Sequence, residues 1–497
     1  MNTERYVRQH IYGAAHRATV GAAGGLIPLV EAELRELAAE LLTPGRPGFE
    51  ITERDGRIEL GGVDYRTLVE LTLRLTTAHD LRLEISRGKA GGRRELEGLL
   101  RAVPWEVYLP RGARIEVRAD SRGSRLYHEG LIEECTTVAL TEAGLVAANL
   151  LPTEEGGAAE AGPAPRAGGD SSRASGRPRL SRPAGADADF RLTVRLESNR
   201  VRIELSLVGA PLWRRGYRAS FDARAPLRED LAQGAVRSAL SFAAGVEEAA
   251  SPPSFDTLLI PFAGSGTLLF ESLIARFGIA PCLFGRSYAF ERFAFGAPPS
   301  AAWLKERLAK AIAERFASTG RLQAVLIDSH AGAIRAAREN LASFERLLRA
   351  AGPLPLHCAF RESDVFAAPW SAQLPPAAAS LFVPLNPPYG HRLAVGSVDH
   401  LYQRIGESLE RLAGDLAVTA ALRAGDAGGV GRGRGARLER GEGTPRRISG
   451  FVLCPTEGAW RRFQNATPAF RKRTLHLGQG GLDIRLCLFA VDPASRK

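Results

Sequence analysis

"DTLLIPFAGSGTLL", Asp256 to Leu269, joins a short apolar run to a glycine turn and then to a helical pattern. The run Leu258, Leu259, Ile260 is continuous rather than alternating, as in a strand buried on both faces. Gly264 and Gly266 let the backbone turn sharply and approach a ligand closely. No Lys follows the second glycine, so this is not a Walker A loop. Leu269 stands where a dinucleotide fingerprint needs its third glycine. What remains is a shorter turn that suits a ligand with an amino-acid end and an adenosine end.

The same rhythm continues toward the C-terminus. "LQAVLIDS" (322–329) reads as an apolar strand and "AGAIRAARENLASFERLLRA" (331–350) as a long helix. "LHCAFRESDVF" (356–366) and "SLFVPL" (380–385) follow, then a helix over 399–414 and strands over 415–422, 450–454 and 482–492. Strands alternating with helices predict a parallel, doubly wound sheet. Ligands of such sheets bind at the carboxyl ends of the strands.

Those strand ends carry chemistry. Asp328, followed by Ser329, tips the second strand, where an acid accepts hydrogen bonds from ribose hydroxyls. Asp364, followed by Val365, ends the third, where it can accept from an exocyclic adenine amine. Acids there also cap helices, but the three features fall in consecutive units. The fourth strand runs into Asn386-Pro387-Pro388-Tyr389. The lone pair of an amine on an aromatic base is delocalised into the ring. The Asn386 side-chain oxygen and the Pro387 carbonyl can hold its two N–H bonds and aim that lone pair at an electrophile. Pro387 and Pro388 stiffen the loop, and Tyr389 offers a flat face to an extruded base. A methyl sulfonium needs no general acid, because the thioether that leaves is neutral, so positioning carries most of the catalysis.

Composition bounds the rest. With 497 residues, two or three domains are expected. No apolar run is long enough to cross a membrane, and "MNTERYVRQHIYG" has no signal-type core; a cytoplasmic protein is expected. Cys135, Cys282, Cys358, Cys454 and Cys487 are scattered without ligand spacing, so no metal is expected. The net charge is +11, nearly all from Arg, and the pI is about 9.8. An Arg excess fits a polyanionic partner, although a GC-rich genome also produces one. Two stretches break the globular pattern. Residues 153–188 have almost no large apolar residue and read as a disordered insertion. Residues 425–447 form an Arg-Gly loop that is either a solvated insertion or a contact for RNA backbone.

Before the insertion the chain reads as α+β. "LIPLVEAELRELAAELL" (26–42) is an amphipathic helix, "FEITERDGRIELGG" (49–62) a hairpin about Asp55-Gly56, and 64–85 a helix running into a strand. A second hairpin turns at Ser198-Asn199, and the insertion is expected to interrupt one domain.

Taken in order, Gly264-Ser265-Gly266-Thr267, Asp328, Asp364 and Asn386-Pro387-Pro388-Tyr389-Gly390 resemble the class I S-adenosylmethionine-dependent amino-methyltransferases. "VGAAGGLIPLVEAELREL" (20–37), "SLVGAPLWRRGYRASFDARAPLREDLAQGAV" (206–236) and "RKRTLHLGQGGLDIRLCLF" (471–489) are similar to the bacterial THUMP-domain RNA methyltransferases, nearest the large-subunit rRNA guanine-N2-methyltransferases. The resemblance implies an α/β fold: a Rossmann-like methyltransferase domain over 216–497, preceded by a ferredoxin-like segment over 1–60 and a THUMP-like RNA-binding segment over 61–215. It implies S-adenosylmethionine held by Pro261, Phe262, Ala263, Gly264, Ser265, Gly266, Thr267, Asp328, Ser329, Asp364, Val365 and Asn386. It implies transfer to a guanosine N2 in RNA, rRNA before tRNA. Some relatives carry a second methyltransferase domain, for which this length leaves no room. The family usually has an acid where Ile260 stands, often Cys at Ala263 and a second acid at His330. Two other functions fit the same residues: an adenine-N6 DNA methyltransferase, and a non-catalytic RNA-binding or ribosome-assembly factor.

Overall fold

The computed structural model describes residues 2–41, 48–147, 188–220, 227–245, 255–375, 380–388, 395–427, 447–479 and 482–491. The predicted insertion up to 187, residues 428–446 of the Arg-Gly loop, and Tyr389 lie outside them. The chain divides into two compact units. One comprises Met1–Thr3, Leu83–Gly209 and Ala289–Ala297; the other comprises Glu4–Arg82, Ala210–Tyr288 and Pro298–Lys497.

The larger unit begins with β1 (Ala15–Gly21), β2 (Glu50–Arg54) and β3 (Arg57–Asp64). β3 pairs antiparallel with both others. Asp55 and Gly56 have φ of 51° and 70°, the left-handed pair that a two-residue hairpin turn requires. Helix Ile27–Leu41 buries the expected apolar stripe, and also Glu33. The Glu33 carboxylate accepts the backbone N–H of Thr76 and of Thr77, each at 2.9 Å, and both threonine hydroxyls. Four donors replace the water that a buried carboxylate loses.

β4 (Asp80–Lys89) contains the chain boundary between the units. The smaller unit has β5 (Arg114–Arg122), β6 (Val146–Ala147), β7 (Phe190–Glu197) and β8 (Arg200–Ser206). β6 and β7, which flank the insertion, both pair parallel with β5. The chain therefore leaves and re-enters one sheet. β7 and β8 form the second hairpin, with Ser198 and Asn199 at φ of 49° and 62°.

The C-terminal sheet contains β9 (Thr257–Pro261), β10 (Leu322–Asp328), β11 (Leu356–Glu362), β12 (Ser380–Leu385), β13 (Arg447–Cys454), β14 (Arg471–Gln479) and β15 (Leu482–Val491). Their order is β11-β10-β9-β12-β13-β15-β14. The direction of strand addition reverses between β9 and β12, the switch point at which such sheets bind ligands. Pro384 sharpens this. Proline cannot donate to a ladder, and the β12–β9 pairing ends at Phe382 with Leu258, whereas β12 stays paired with β13 through Leu385. The sheet is thus split where β9 and β12 end.

Two sequence expectations fail here. Residues 415–422 are not a strand but part of one helix, Val395–Ala427. Leu409, Leu412, Ala413 and Leu416 continue the buried stripe begun by Tyr402 and Ile405, and an Ala-rich apolar run satisfies helix and strand patterns alike. The sheet is also not wholly parallel: β15 runs antiparallel to β13 and β14. Gln479 pairs with Leu482, and so short a connection allows only an antiparallel pair. The sequence reading had no strand at β14 and no helix at Ser300–Ser318 or Glu457–Asn465. Among the described residues no helix is long and apolar enough to cross a membrane.

Candidate active site

The glycine turn leaves β9 at Pro261. Phe262 has φ of 65°, a left-handed conformation that is unusual for a bulky residue and recurs at ligand sites. Gly264 and Gly266 follow at 53° and 90°. Gly266 caps helix Thr267–Phe277 without any side-chain cap, so the positive end of the helix faces the turn. A Cβ built on Gly264 would meet nothing within 4 Å; the backbone there borders open space. Ile260, where an acid was expected, is fully buried core.

The turn is held from several sides. Ala263 N–H donates to the Ile327 carbonyl at 3.0 Å and Gly266 N–H to the Ala263 carbonyl at 3.0 Å. Asp328 accepts Gly264 N–H at 2.9 Å through Oδ2 and His330 N–H at 3.0 Å through Oδ1. Its carboxylate thus supports the loop, with lone pairs remaining for a ligand. Ser329 beside it is exposed. His330, where a second acid was expected, caps the next helix through Nδ1, which accepts Ala333 N–H at 3.2 Å.

Asn340 and Arg218 were missed by the sequence reading. Asn340 is fully buried. It accepts Ala219 N–H and Ser220 N–H at 2.8 and 2.9 Å and donates to the Ser220 and Ser265 carbonyls, both at 3.1 Å. Arg218 donates to Ser265 Oγ at 3.2 Å, Thr267 Oγ1 at 2.8 Å, the Leu227 carbonyl at 3.2 Å and Glu229 Oε1 at 2.5 Å. Through it a buried carboxylate, Glu229, is brought next to the turn. One turn along helix Thr267–Phe277 from Thr267, buried Glu271 accepts the Tyr217 hydroxyl at 3.0 Å and an Arg215 N–H at 3.4 Å. Burial pushes the Glu271 carboxyl up, to about 7, against the pull of Arg215. The 215–218 stretch had signalled only by its resemblance. Among the partners of its polar side chains are Ser265, Glu271 and Thr76, which lie 47, 54 and 139 residues away.

Asp364 lies two residues beyond β11 and is exposed. Its Oδ1 accepts Phe366 N–H at 2.9 Å. Val365 is buried, and its carbonyl accepts the Trp370 indole N–H at 3.0 Å. Phe366 packs edge-on to Phe262, with ring centroids 6.3 Å apart, and Arg404 lies 4.0 Å above its ring.

Asn386 begins where β12 stops. Its Oδ1 is buried without a hydrogen-bond partner among the described residues. Such an acceptor normally costs about 1–3 kcal/mol, so it calls for a donor that the described residues do not supply. Pro387 is buried and Pro388 half-buried. The turn after β9 and Asn386 after β12 end adjacent parallel strands on either side of the split. Asp328 ends the strand on the other side of β9, and Asp364 follows the one beyond it. These groups fit a ligand with an adenosine end and an amino-acid end. The space beside Gly264 can receive it, and the strand-end acids can accept its hydroxyl and amine protons. Among the described residues no group of three or more His, Cys, Asp or Glu is placed to hold a metal.

Residues 215–426 match the family described as "UPF0020: RMKL-like, methyltransferase domain". The chain is 29% identical over 399 residues to "Ribosomal RNA large subunit methyltransferase K/L" of Syntrophotalea carbinolica, covering 78% of this chain and 46% of that protein. It is 32% identical over 237 residues to the protein of the same name from Cellvibrio japonicus, covering 46% and 28%. The chain thus spans less than half the length of these curated relatives. Among solved structures, SMU.472, a putative methyltransferase complexed with SAH, aligns with TM-score 0.60 at 20% identity, covering 97% of this chain and 100% of that one. A predicted N6-adenine-specific DNA methylase from Listeria monocytogenes aligns with TM-score 0.60 at 20% identity, covering 96% of each. At that identity the likeness is one of fold, and the fold is the Rossmann-like methyltransferase fold.

Proposed function

We propose that this chain is an S-adenosylmethionine-dependent methyltransferase acting on the exocyclic N2 amine of a guanosine in structured RNA, large-subunit rRNA ahead of tRNA. The observation that carries the reading is the Asn386 Oδ1 at the split between β9 and β12, buried and without a partner among the described residues. It is an acceptor held ready for an N–H donor beside the strand ends that fit the cofactor. The printed names of the relatives support rRNA as the substrate.

The residues divide the work as follows. Pro261 to Thr267 would hold the methionine end, with Arg218 and Asn340 fixing the turn. Asp328 and Ser329 would hold the ribose, and Asp364 and Val365 the adenine. The cofactor supplies a methyl group on a sulfonium whose departure leaves a neutral thioether. Asn386 Oδ1 and the Pro387 carbonyl accept the two N–H bonds of the amine and turn its lone pair toward that methyl. Tyr389, outside the described residues, would stack on the base. Asn386 is not basic, so the proton lost after transfer passes to water. Orientation contributes most of the rate. Segments 1–60 and 61–215 would grip the RNA, in the cytoplasm where rRNA is assembled.

The test is methyl transfer by the full chain from radiolabelled cofactor to total RNA and to DNA, with mass spectrometry of the nucleosides. N2-methylguanosine in rRNA, abolished in Asn386→Ala with cofactor affinity retained, is the expected result. Label in DNA adenine would replace this reading with the DNA methyltransferase. Tight RNA binding without transfer would replace it with a non-catalytic factor.

A further inference from the structure

Residues 121–128 form a loop at the end of β5 in the smaller unit, and nothing above uses it. Tyr127 on this loop is 67% exposed, one of few large apolar side chains left in water among the described residues. Its ring lies 4.1 Å from that of His128, tilted by 38°, so the two rings lean against each other in a tilted stack, each backing the other and leaving its outer face to solvent.

The loop under these rings is tied down. Ser121 Oγ donates to the Leu126 carbonyl at 2.5 Å, and the Leu126 side chain is buried. Ser124 Oγ donates to the Arg122 carbonyl at 3.1 Å. The tip of the β7–β8 hairpin clamps the other side. Asn199 Oδ1 accepts Arg125 N–H at 2.8 Å, Asn199 N–H donates to Ser124 Oγ at 3.0 Å, and Ser198 N–H donates to the Arg122 carbonyl at 3.1 Å. The Asn199 carbonyl accepts Ala90 N–H at 2.9 Å, which brings the end of β4 to the same place. A mobile loop with an exposed tyrosine would be unremarkable. A loop held by five hydrogen bonds presents its rings on an ordered backbone, so a partner docks at less cost of freezing them.

The surroundings are cationic. Arg122, Arg125, Arg200, Lys89 and Arg94 are all exposed. Arg122 shares Asp120 at 3.4 Å, and the nearby Glu95 is engaged with Gly91 N–H at 2.5 Å. Arg125 lies alongside Gly91, its Cδ 3.9 Å from where a Cβ would stand. A stacked ring pair on a loop that carries exposed guanidinium groups matches an unpaired nucleobase on the outer ring face with its flanking phosphates on the arginines. A duplex offers no free base face and uses only the second half of that arrangement.

We propose that Tyr127 and His128 are a stacking platform for an unpaired base of the substrate RNA, with Arg125 as a phosphate contact; this rests on the RNA reading of the site above. The probe is protein-free rRNA from a strain lacking this chain, bound to the full-length protein in a filter assay, with a perfect duplex RNA as competitor. Tyr127→Ala is expected to raise the Kd for rRNA about 5- to 150-fold, the equivalent of ~1–3 kcal/mol per stacked base. Tyr127→Phe, which keeps the ring, is expected within about twofold of the parent chain. Arg125→Ala should reduce the slope of log K against log salt by about one, and the duplex should compete equally against the parent chain and Tyr127→Ala. Tyr127 is exposed, so its variants fold; an unchanged melting temperature verifies this. If the parent chain binds rRNA and Tyr127→Ala binds it within twofold, the platform is refuted while the RNA reading stands. If the parent chain binds no RNA, or an acidic protein takes this surface instead, both fall.

Discussion

Arg218 is the residue on which the glycine turn depends most. Its side chain and that of Glu229 are 8% and 4% exposed. Arg218→Met keeps the bulk but removes the charge and all four donated hydrogen bonds. Glu229 is left as a buried carboxylate without its cation, and breaking a buried pair from one side costs about 3–5 kcal/mol. Ser265 Oγ and Thr267 Oγ1 lose their donor in the same step, so the turn loosens and cofactor affinity falls about tenfold or more. Glu229→Gln in the same chain removes the stranded charge. The double variant should therefore be less destabilised than the sum of the two single variants by about 2 kcal/mol. Urea unfolding measures this as a shift in midpoint at constant slope, and calorimetric titration with the cofactor measures the binding. If Arg218→Met alone costs under about 1 kcal/mol, or if the two variants are additive, the pair does not hold the turn and the reasoning fails.

Three further outcomes are expected. Glu271 has its carboxyl raised to about 7 from 4.5. The unfolded chain sheds this proton near 4.5 while the folded chain keeps it, so this contribution is full below pH 4.5 and lost as pH rises through 7. The loss is about 1.4 kcal/mol per unit, about 3 kcal/mol in all. Glu271→Gln should flatten that part of the stability profile, and parallel profiles for the two chains would contradict the assignment. Gly264→Ala should cost only about 1–2 kcal/mol of stability, for the positive φ alone, because its Cβ meets no protein atom; its main effect should be lost cofactor binding, seen by titration. Gly266→Ala should cost more than Gly264→Ala in thermal unfolding, because its Cβ would stand 2.9 Å from the Phe270 ring as well as at a φ of 90°.

Much of the candidate site was legible because strand-end chemistry is local. Asp328 ends its strand, Asn386 follows its strand directly and Asp364 comes two residues after its own, so residue type and position are read together. Gly264 and Gly266 announce their backbone in the same way. Arg218, Glu229 and Asn340 were not legible, since a lone Arg, Glu or Asn looks like surface until a partner elsewhere in the chain buries it. The misread strand at 415–422 has a related cause. Leu416 and its neighbours are apolar in either conformation, and only packing beside Tyr402 and Ile405 selects the helix.

By itself, then, the sequence determined the alternation of strands and helices, the sharp turn after β9 and the donors and acceptors at the strand ends. These depend on the properties of a few adjacent residues. The tertiary structure decided the antiparallel edge, the continuation of helix Val395–Ala427, and the opening of the sheet where Pro384 cannot pair. It also decided that Arg218 and Asn340 brace the glycine turn and that Asn386 Oδ1 is buried without a partner among the described residues. Each of these depends on which distant groups share a space, and burial and hydrogen-bond satisfaction are properties of the assembled fold, not of any stretch within it.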